Sequence, residues 1–169
     1  MLLVAVSVVL SDQLTKAILV LKLGYGQQVE VLLGFFRFVH WGNTGAAWSL
    51  FYGNNTLLAI VALLSLIGLF FNRHYFDFHT LTGQWALGLM LGGIFGNLID
   101  RLVMGHVIDF LYFYIYRRGA GEVGFPAFNL ADTAICSGVA LMALLAHQGQ
   151  QTQGTIPSKQ KRPTEPSTP

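Results

Sequence analysis

Charge is scarce in these 169 residues: 11% are Asp, Glu, Lys or Arg, only eight are acidic, and 53% are hydrophobic. With a mean hydropathy of +0.54, that scarcity excludes a soluble domain, because one core cannot hide so much apolar surface. The net charge of +2 is modest, part of it comes from Lys159, Lys161 and Arg162, and it implies no nucleic-acid-binding surface. Cysteine is nearly absent as well. The single Cys136 has no intramolecular partner, and its place in an apolar stretch predicts a small core residue. His40, His74, His79, His106 and His147 lack close metal-ligand spacing, so neither a metal nor another cofactor is expected. No basic residue precedes the first apolar stretch, no small-residue cleavage site follows it, and Asp12 and Lys16 interrupt it. It reads as a retained helix rather than a signal peptide.

What is present is a series of apolar runs of membrane length. About 20 helical residues cross a bilayer core of about 30 Å, and the stretches 1–21, 57–71, 85–103 and 130–146 qualify or nearly do. The fold expected is a mainly α membrane protein with four transmembrane helices and both termini on one side. Residues 1–147 form the membrane domain. Residues 148–169, rich in Gln, Thr, Ser, Pro and Lys, form a disordered polar tail. The basic residues of that tail, with Arg73 in the connection between the second and third spans, favour a cytoplasmic face for both segments, although Arg37, Arg117 and Arg118 fall on the other face.

The remaining connections, 24–55 and 105–128, are long and carry many aromatic and branched residues. In the first, Val29, Val31 and Leu33 alternate with Glu30 and Leu32, while Phe36, Phe38 and His40 alternate with Arg37 and Val39, with Gly34 between the runs. Such alternation predicts a small antiparallel sheet. In the second, the aromatic run 110–116 suits the headgroup level, as a strand or an interfacial helix.

Polar residues in and beside the spans are the chemical candidates, since ionisable groups at membrane depth cost roughly 2.5–3.5 kcal/mol each on insertion scales. Asp12 and Lys16, four apart, share a helix face and can pair; alternatively Lys16 reaches a substrate headgroup or carbonyl near the outer interface. Asn97, Asp100 and Arg101 make one face polar at the end of the third span, each needing a partner on another element. Asn129 and Asp132 are spaced as an N-cap and a first-turn carboxylate of the fourth span. Asp109, read alone, is a cap before the aromatic run. The alternative reading of Asp109 and Asp132 is a catalytic pair.

Taken together, these residues resemble the bacterial lipoprotein signal peptidase family, signal peptidase II. The similarity runs in order through Ser11-Asp12-Gln13-Leu14-Thr15-Lys16, Asn43-Thr44-Gly45-Ala46-Ala47-Trp48-Ser49, Gly96-Asn97-Leu98-Ile99-Asp100-Arg101, Gly105-His106-Val107-Ile108-Asp109-Phe110 and Phe128-Asn129-Leu130-Ala131-Asp132. The resemblance implies an intramembrane aspartic protease that removes signal peptides from prolipoproteins, cutting before a cysteine modified with diacylglycerol. It implies catalytic roles for Asp109 and Asp132. Asp12, Lys16, Asn43, Gly45, Asn97, Asp100, Arg101 and Asn129 are then expected to support the pair or contact substrate. It further implies a periplasmic sheet and short helix, a site toward the outer leaflet of the inner membrane, and cytoplasmic termini. The expected partners are diacylglyceryl-modified prolipoproteins and membrane lipid, with the enzyme a monomer and no nucleic acid bound.

Three features depart from the family pattern: Trp48 stands where phenylalanine is commoner, residues 117–124 lengthen the link between the aspartates into a candidate lid, and a short basic leader is expected ahead of the first span. Two other function classes fit four polar-flecked spans, a small channel or transporter and a noncatalytic scaffold. Asparagine at either aspartate separates them, since interhelical glue tolerates an amide and a water-activating dyad does not.

Overall fold

The computed structural model describes residues 1–45, 50–76 and 79–154, with side chains through Gln148. Ala46, Ala47, Trp48 and Ser49 of the second motif block, and residues 155–169 of the expected tail, lie outside the described residues. Among the described residues four α-helices carry the chain, α1 (Leu2–Lys22), α2 (Asn55–Phe71), α3 (Leu81–Val103) and α4 (Leu130–Gly154). Four strands, β1 (Gln28–Leu32), β2 (Phe36–Asn43), β3 (Val107–Arg117) and β4 (Gly121–Gly124), form one antiparallel sheet in that order. α1, α3 and the Leu130–Gln148 part of α4 are long and apolar enough to cross a membrane, while α2, with 17 residues, is apolar but shorter. α4 continues to Gly154, so residues 148–154 are helical where a disordered tail is expected. Once a helix is running, each added residue gains a hydrogen bond, and glutamine tolerates the conformation well.

The first helix is apolar outside and polar inside. The only buried residues of α1 are Asp12 and Lys16, and α2 has none. Leu3, Leu10, Leu14 and Leu21 are exposed. In water this arrangement would be unstable; in hydrocarbon the exposed leucines are solvated and the charges need one another. α3 is the central helix and packs against α1, α2 and α4. Gly88, Gly92 and Gly96 recur every four residues along its α1-facing stripe, and their lack of side chains sets the helix spacing. A Cβ at Gly92 would meet Ala5 O at 2.7 Å, and one at Gly96 would meet Asp12 Oδ2 at 2.9 Å.

The sheet caps one end of these helices, because β1 and β2 connect α1 to α2, and β3 and β4 connect α3 to α4. Gly34, at φ 79°, makes the turn between β1 and β2. The aromatic run resolves as strand β3, with Phe113 stacked on Phe36 at 4.8 Å between ring centroids. His40 donates or accepts through Nδ1 at 2.8 Å to Leu23 O, fastening β2 to the end of α1. The alternation in β1 buries neither face: Val29 and Val31 are about half exposed at the edge of the sheet. β2 and β3 meet in register through Trp41↔Asp109, Gly42↔Ile108 and Asn43↔Val107. Asp109 therefore sits inside a ladder at the mouth of the helices.

Candidate active site

Beneath the sheet lies a cavity of about 940 Å³ whose walls include Asn43, Asn97, Arg101, Asp109 and Asp132. α3 and α4 supply its floor and the sheet its rim. Asp132 arrives there through local helix chemistry. The side chain of Asn129 caps α4 by accepting from Asp132 N at 2.9 Å, and Asp132 Oδ2 accepts from Asn129 N at 3.2 Å. This reciprocal pair is a capping box with aspartate in the third position. The capping expected from spacing is present, and it leaves Asp132 Oδ1 for Asn97 Nδ2, at 2.7 Å. Ala131 N, another unpaired donor of the first turn, donates to Asp12 Oδ1 at 3.0 Å.

Asp109 is not a cap. It lies within β3, 3% exposed, and accepts from Asn43 Nδ2 and Asn129 Nδ2, both at 2.9 Å. The strand pairing that serves its backbone leaves the carboxylate to side-chain donors alone. Burial pushes its pKa up to about 7; the neighbouring Asp132 carboxylate pushes the same way, and the hydrogen bonds from Asn43 and Asn129 oppose the rise. Asn129, wholly buried, thus serves both aspartates, giving its amide to Asp109 and its backbone N–H to Asp132.

Behind the pair, the expected supporting residues converge in one network. Lys16 Nζ is 2.7 Å from Asp12 Oδ2 and 2.7 Å from Asp100 Oδ2, and it donates to Asn97 Oδ1 at 3.2 Å. Lys16, 2% exposed, is held inside by two carboxylates, as the pairing reading expects. Asp100 Oδ2 also accepts from Ile108 N at 3.1 Å, fixing the strand one residue ahead of Asp109. Arg101 Nη2 donates to Gly45 O at 3.1 Å; Gly45 N donates to Asn43 Oδ1 at 2.9 Å, which orients the Asn43 amide toward Asp109. Each interior aspartate, whether or not catalytic, is held by at least two donors.

Other residues were not singled out by spacing. Gln13 Nε2 donates to Asp100 Oδ1 at 2.9 Å and to Gly96 O at 3.2 Å; its place between Asp12 and Lys16 was the available signal. Trp41 and Tyr112 line the cavity rim. Cys136 is exposed on the cavity wall rather than buried as a core residue, because it stands one turn beyond Asp132 on the same face of α4.

Residues 4–147 match the family model described as signal peptidase (SPase) II. The chain belongs to the signal peptidase II family. Over 140 residues it is 35% identical to the lipoprotein signal peptidase of Bacillus subtilis, an alignment covering 82% of this chain and 87% of that one. It is 40% identical over 142 residues to the lipoprotein signal peptidase of Dehalococcoides mccartyi, covering 81% and 82%. Two solved bacterial membrane enzymes share the fold of this signal peptidase II member. One superposes with a TM-score of 0.76 at 32% identity over 93% of each chain, the other with 0.68 at 34% identity over 85% of this chain and 90% of its own. As a family peptidase with three membrane-length apolar helices, it is a membrane protease.

Proposed function

We propose that this protein is an aspartic endopeptidase that removes signal peptides from prolipoproteins, cutting before the diacylglyceryl-modified cysteine, with Asp109 and Asp132 as its catalytic dyad. The observation that carries the reading is Asn129, which joins both carboxylates above one cavity at the membrane end of the sheet. Four ionisable carboxylates, Asp12, Asp100, Asp109 and Asp132, share this interior with two cations, Lys16 and Arg101. Lys16 is committed to Asp12 and Asp100, which favours one proton shared within the dyad.

In that state the ionised carboxylate takes a proton from a water as its oxygen attacks the scissile carbonyl, and the protonated one hydrogen-bonds the carbonyl oxygen. Collapse of the tetrahedral intermediate breaks the C–N bond, and the dyad returns a proton to the leaving amine. No covalent enzyme intermediate is required. Asn43 and Asn97 hold the carboxylates in place, while Asp12, Lys16, Asp100, Arg101 and Gly45 fix the elements that present them.

We read α2 as a fourth, slightly short span. Four crossings put both termini on the cytoplasmic side and the sheet at the outer leaflet of the inner membrane, where water and an apolar groove meet. The enzyme acts as a monomer. The test is a gel-shift assay of purified protein with a diacylglyceryl-modified prolipoprotein, for wild type, Asp109→Asn and Asp132→Asn. Cleavage by wild type and its loss, by at least about 10²-fold, in both folded variants supports the dyad. Cleavage surviving in either variant refutes it. An intact substrate with folded wild type in lipid favours the scaffold or transporter class.

A further inference from the structure

The outermost strand is fastened to the rest of the sheet by a charge cluster that the proposed dyad does not use. Arg37 on β2 faces Tyr112 on β3 and is 6% exposed. Its guanidinium lies 3.8 Å from the centroid of the Tyr114 ring and 5.4 Å from that of Tyr112. From there it reaches across β3: Nη2 lies 2.5 Å from Glu122 Oε2 on β4, and Nε lies 3.0 Å from Glu30 Oε1 on β1. One arginine thus ties both edge strands of a four-stranded sheet over a pair of tyrosine faces.

Glu122 is not itself in the cavity wall but is joined to it through Tyr112. Its Oε1 accepts from the Tyr112 hydroxyl at 3.2 Å, and that hydroxyl occupies the space a side chain at Gly124 would need. The Tyr112 ring lies 4.9 Å from Trp41, the cross-strand partner of Asp109. Trp41, Tyr112 and Gly124 all line the cavity rim. Two carboxylates against one arginine leave the cluster with a surplus negative charge, and both glutamates are partly exposed, 31% for Glu122 and 38% for Glu30.

We propose that Glu122, anchored by Arg37 and aligned through Tyr112, is a specificity-determining residue that selects against an acidic side chain at the second residue after the cleaved bond. The proposal rests on the peptidase reading above. On that reading the apolar signal peptide lies against α3 and α4, and the rim formed by the sheet meets the segment that has left the membrane. A surplus charge at the rim repels an acidic residue there and attracts a basic one, by an interaction that salt screens. The aromatic faces of Trp41 and Tyr112 give that segment an uncharged surface to lie against.

The test uses full-length enzyme in lipid and three diacylglyceryl-modified peptides that differ only in the second residue after the cut: Asp, Ser or Lys. For wild type the KM for the Asp peptide exceeds that for the Lys peptide roughly three- to fivefold, with similar kcat, as expected for one charge acting across a solvated gap. The ratio collapses toward one in Glu122→Gln, which keeps the side chain's size, and in wild type at high salt. The salt arm needs no variant to fold. Equal KM values for the three wild-type peptides, or a ratio untouched by both Glu122→Gln and salt, overturn the proposal while leaving the peptidase reading intact. If wild type cuts none of the peptides, or Asp132→Asn cuts as well as wild type, the peptidase reading itself falls and takes the proposal with it.

Discussion

Replacing Asn129 by serine separates its two jobs. Serine caps a helix about as well as asparagine, so the start of α4 is retained, and the backbone N–H at 129 still reaches Asp132. What disappears is the amide that donates to Asp109 Oδ1 at 2.9 Å, and more loosely to Asn97 Oδ1 and Ile108 O, each at 3.2 Å. A hydrogen bond to a charged group is worth about 1.5–3 kcal/mol, and a pKa unit about 1.36 kcal/mol. Removing one of two such bonds favours the protonated form of Asp109 and raises its pKa by about one to two units. If activity needs one proton on the pair, wild-type cleavage declines as pH rises through about 7, where Asp109 loses it. In Asn129→Ser that alkaline limb moves to about 8–9, while the peak rate falls because Asp109 is less firmly aimed. Initial rates from pH 5 to pH 10 on a lipid-modified peptide, with thermal unfolding in detergent as the folding control, measure both. A folded Asn129→Ser enzyme whose alkaline limb stays at the wild-type pH refutes the reasoning.

Four further outcomes follow from the same geometry. Lys16→Met leaves Asp12 and Asp100 buried without their cation and should cost about 3–5 kcal/mol, read as a lower unfolding temperature in detergent that Asp100→Asn partly restores; no change would mean water already solvates the pair. Gly92→Ala forces a Cβ to within 2.7 Å of Ala5 O and should cost about 1–3 kcal/mol as α1 is pushed away from α3, whereas unaltered stability would show that the helices separate freely. N-ethylmaleimide should label Cys136 and block cleavage, with Cys136→Ser active and resistant; a thiol that stays unlabelled in folded protein would place it away from the cavity. Asp109 binds a proton in the folded state that the unfolded chain releases above the ordinary carboxyl range, so its contribution to stability should fall by up to about 1.4 kcal/mol per pH unit as pH rises toward about 7. Asp109→Asn should flatten that slope, and an identical slope in the variant would assign it to another group.

The membrane class was legible from the scarcity of charge, and the interior of the helices from residues three or four apart: Asp12 with Lys16, Asn97 with Asp100 and Arg101, Asn129 with Asp132. A helix displays such spacing on one face, so sequence alone reveals a partnership within it. Partnerships between elements were not legible in the same way. Asp12 meets Ala131 N across 119 positions and Arg37 meets Glu122 across 85, and no local period encodes either. The motif resemblance gathered the first into one site but did not include the second. Asp109 and Cys136 were misread alone because a capping position and an apolar neighbourhood are local signals, while strand pairing with β2 and a cavity beside α4 are tertiary facts. The four-residue spacing of the glycines at 88, 92 and 96 went unread in the sequence, and only the structure shows that it marks the face on which α3 receives α1.

That α1 buries only Asp12 and Lys16, and that Asp12 caps the first turn of α4, has a consequence for biogenesis. The chain leaves the ribosome with its first helix carrying a charge pair whose remaining partners, Asp100 and Ala131 N, are made late. Until the last helix inserts, α4 lacks the carboxylate from α1, Asn97 lacks Asp132, and Asp109 lacks Asn129. With the dyad proposed above, a half-built chain therefore holds no competent proteolytic centre, and the membrane is not exposed to a partly assembled protease during synthesis.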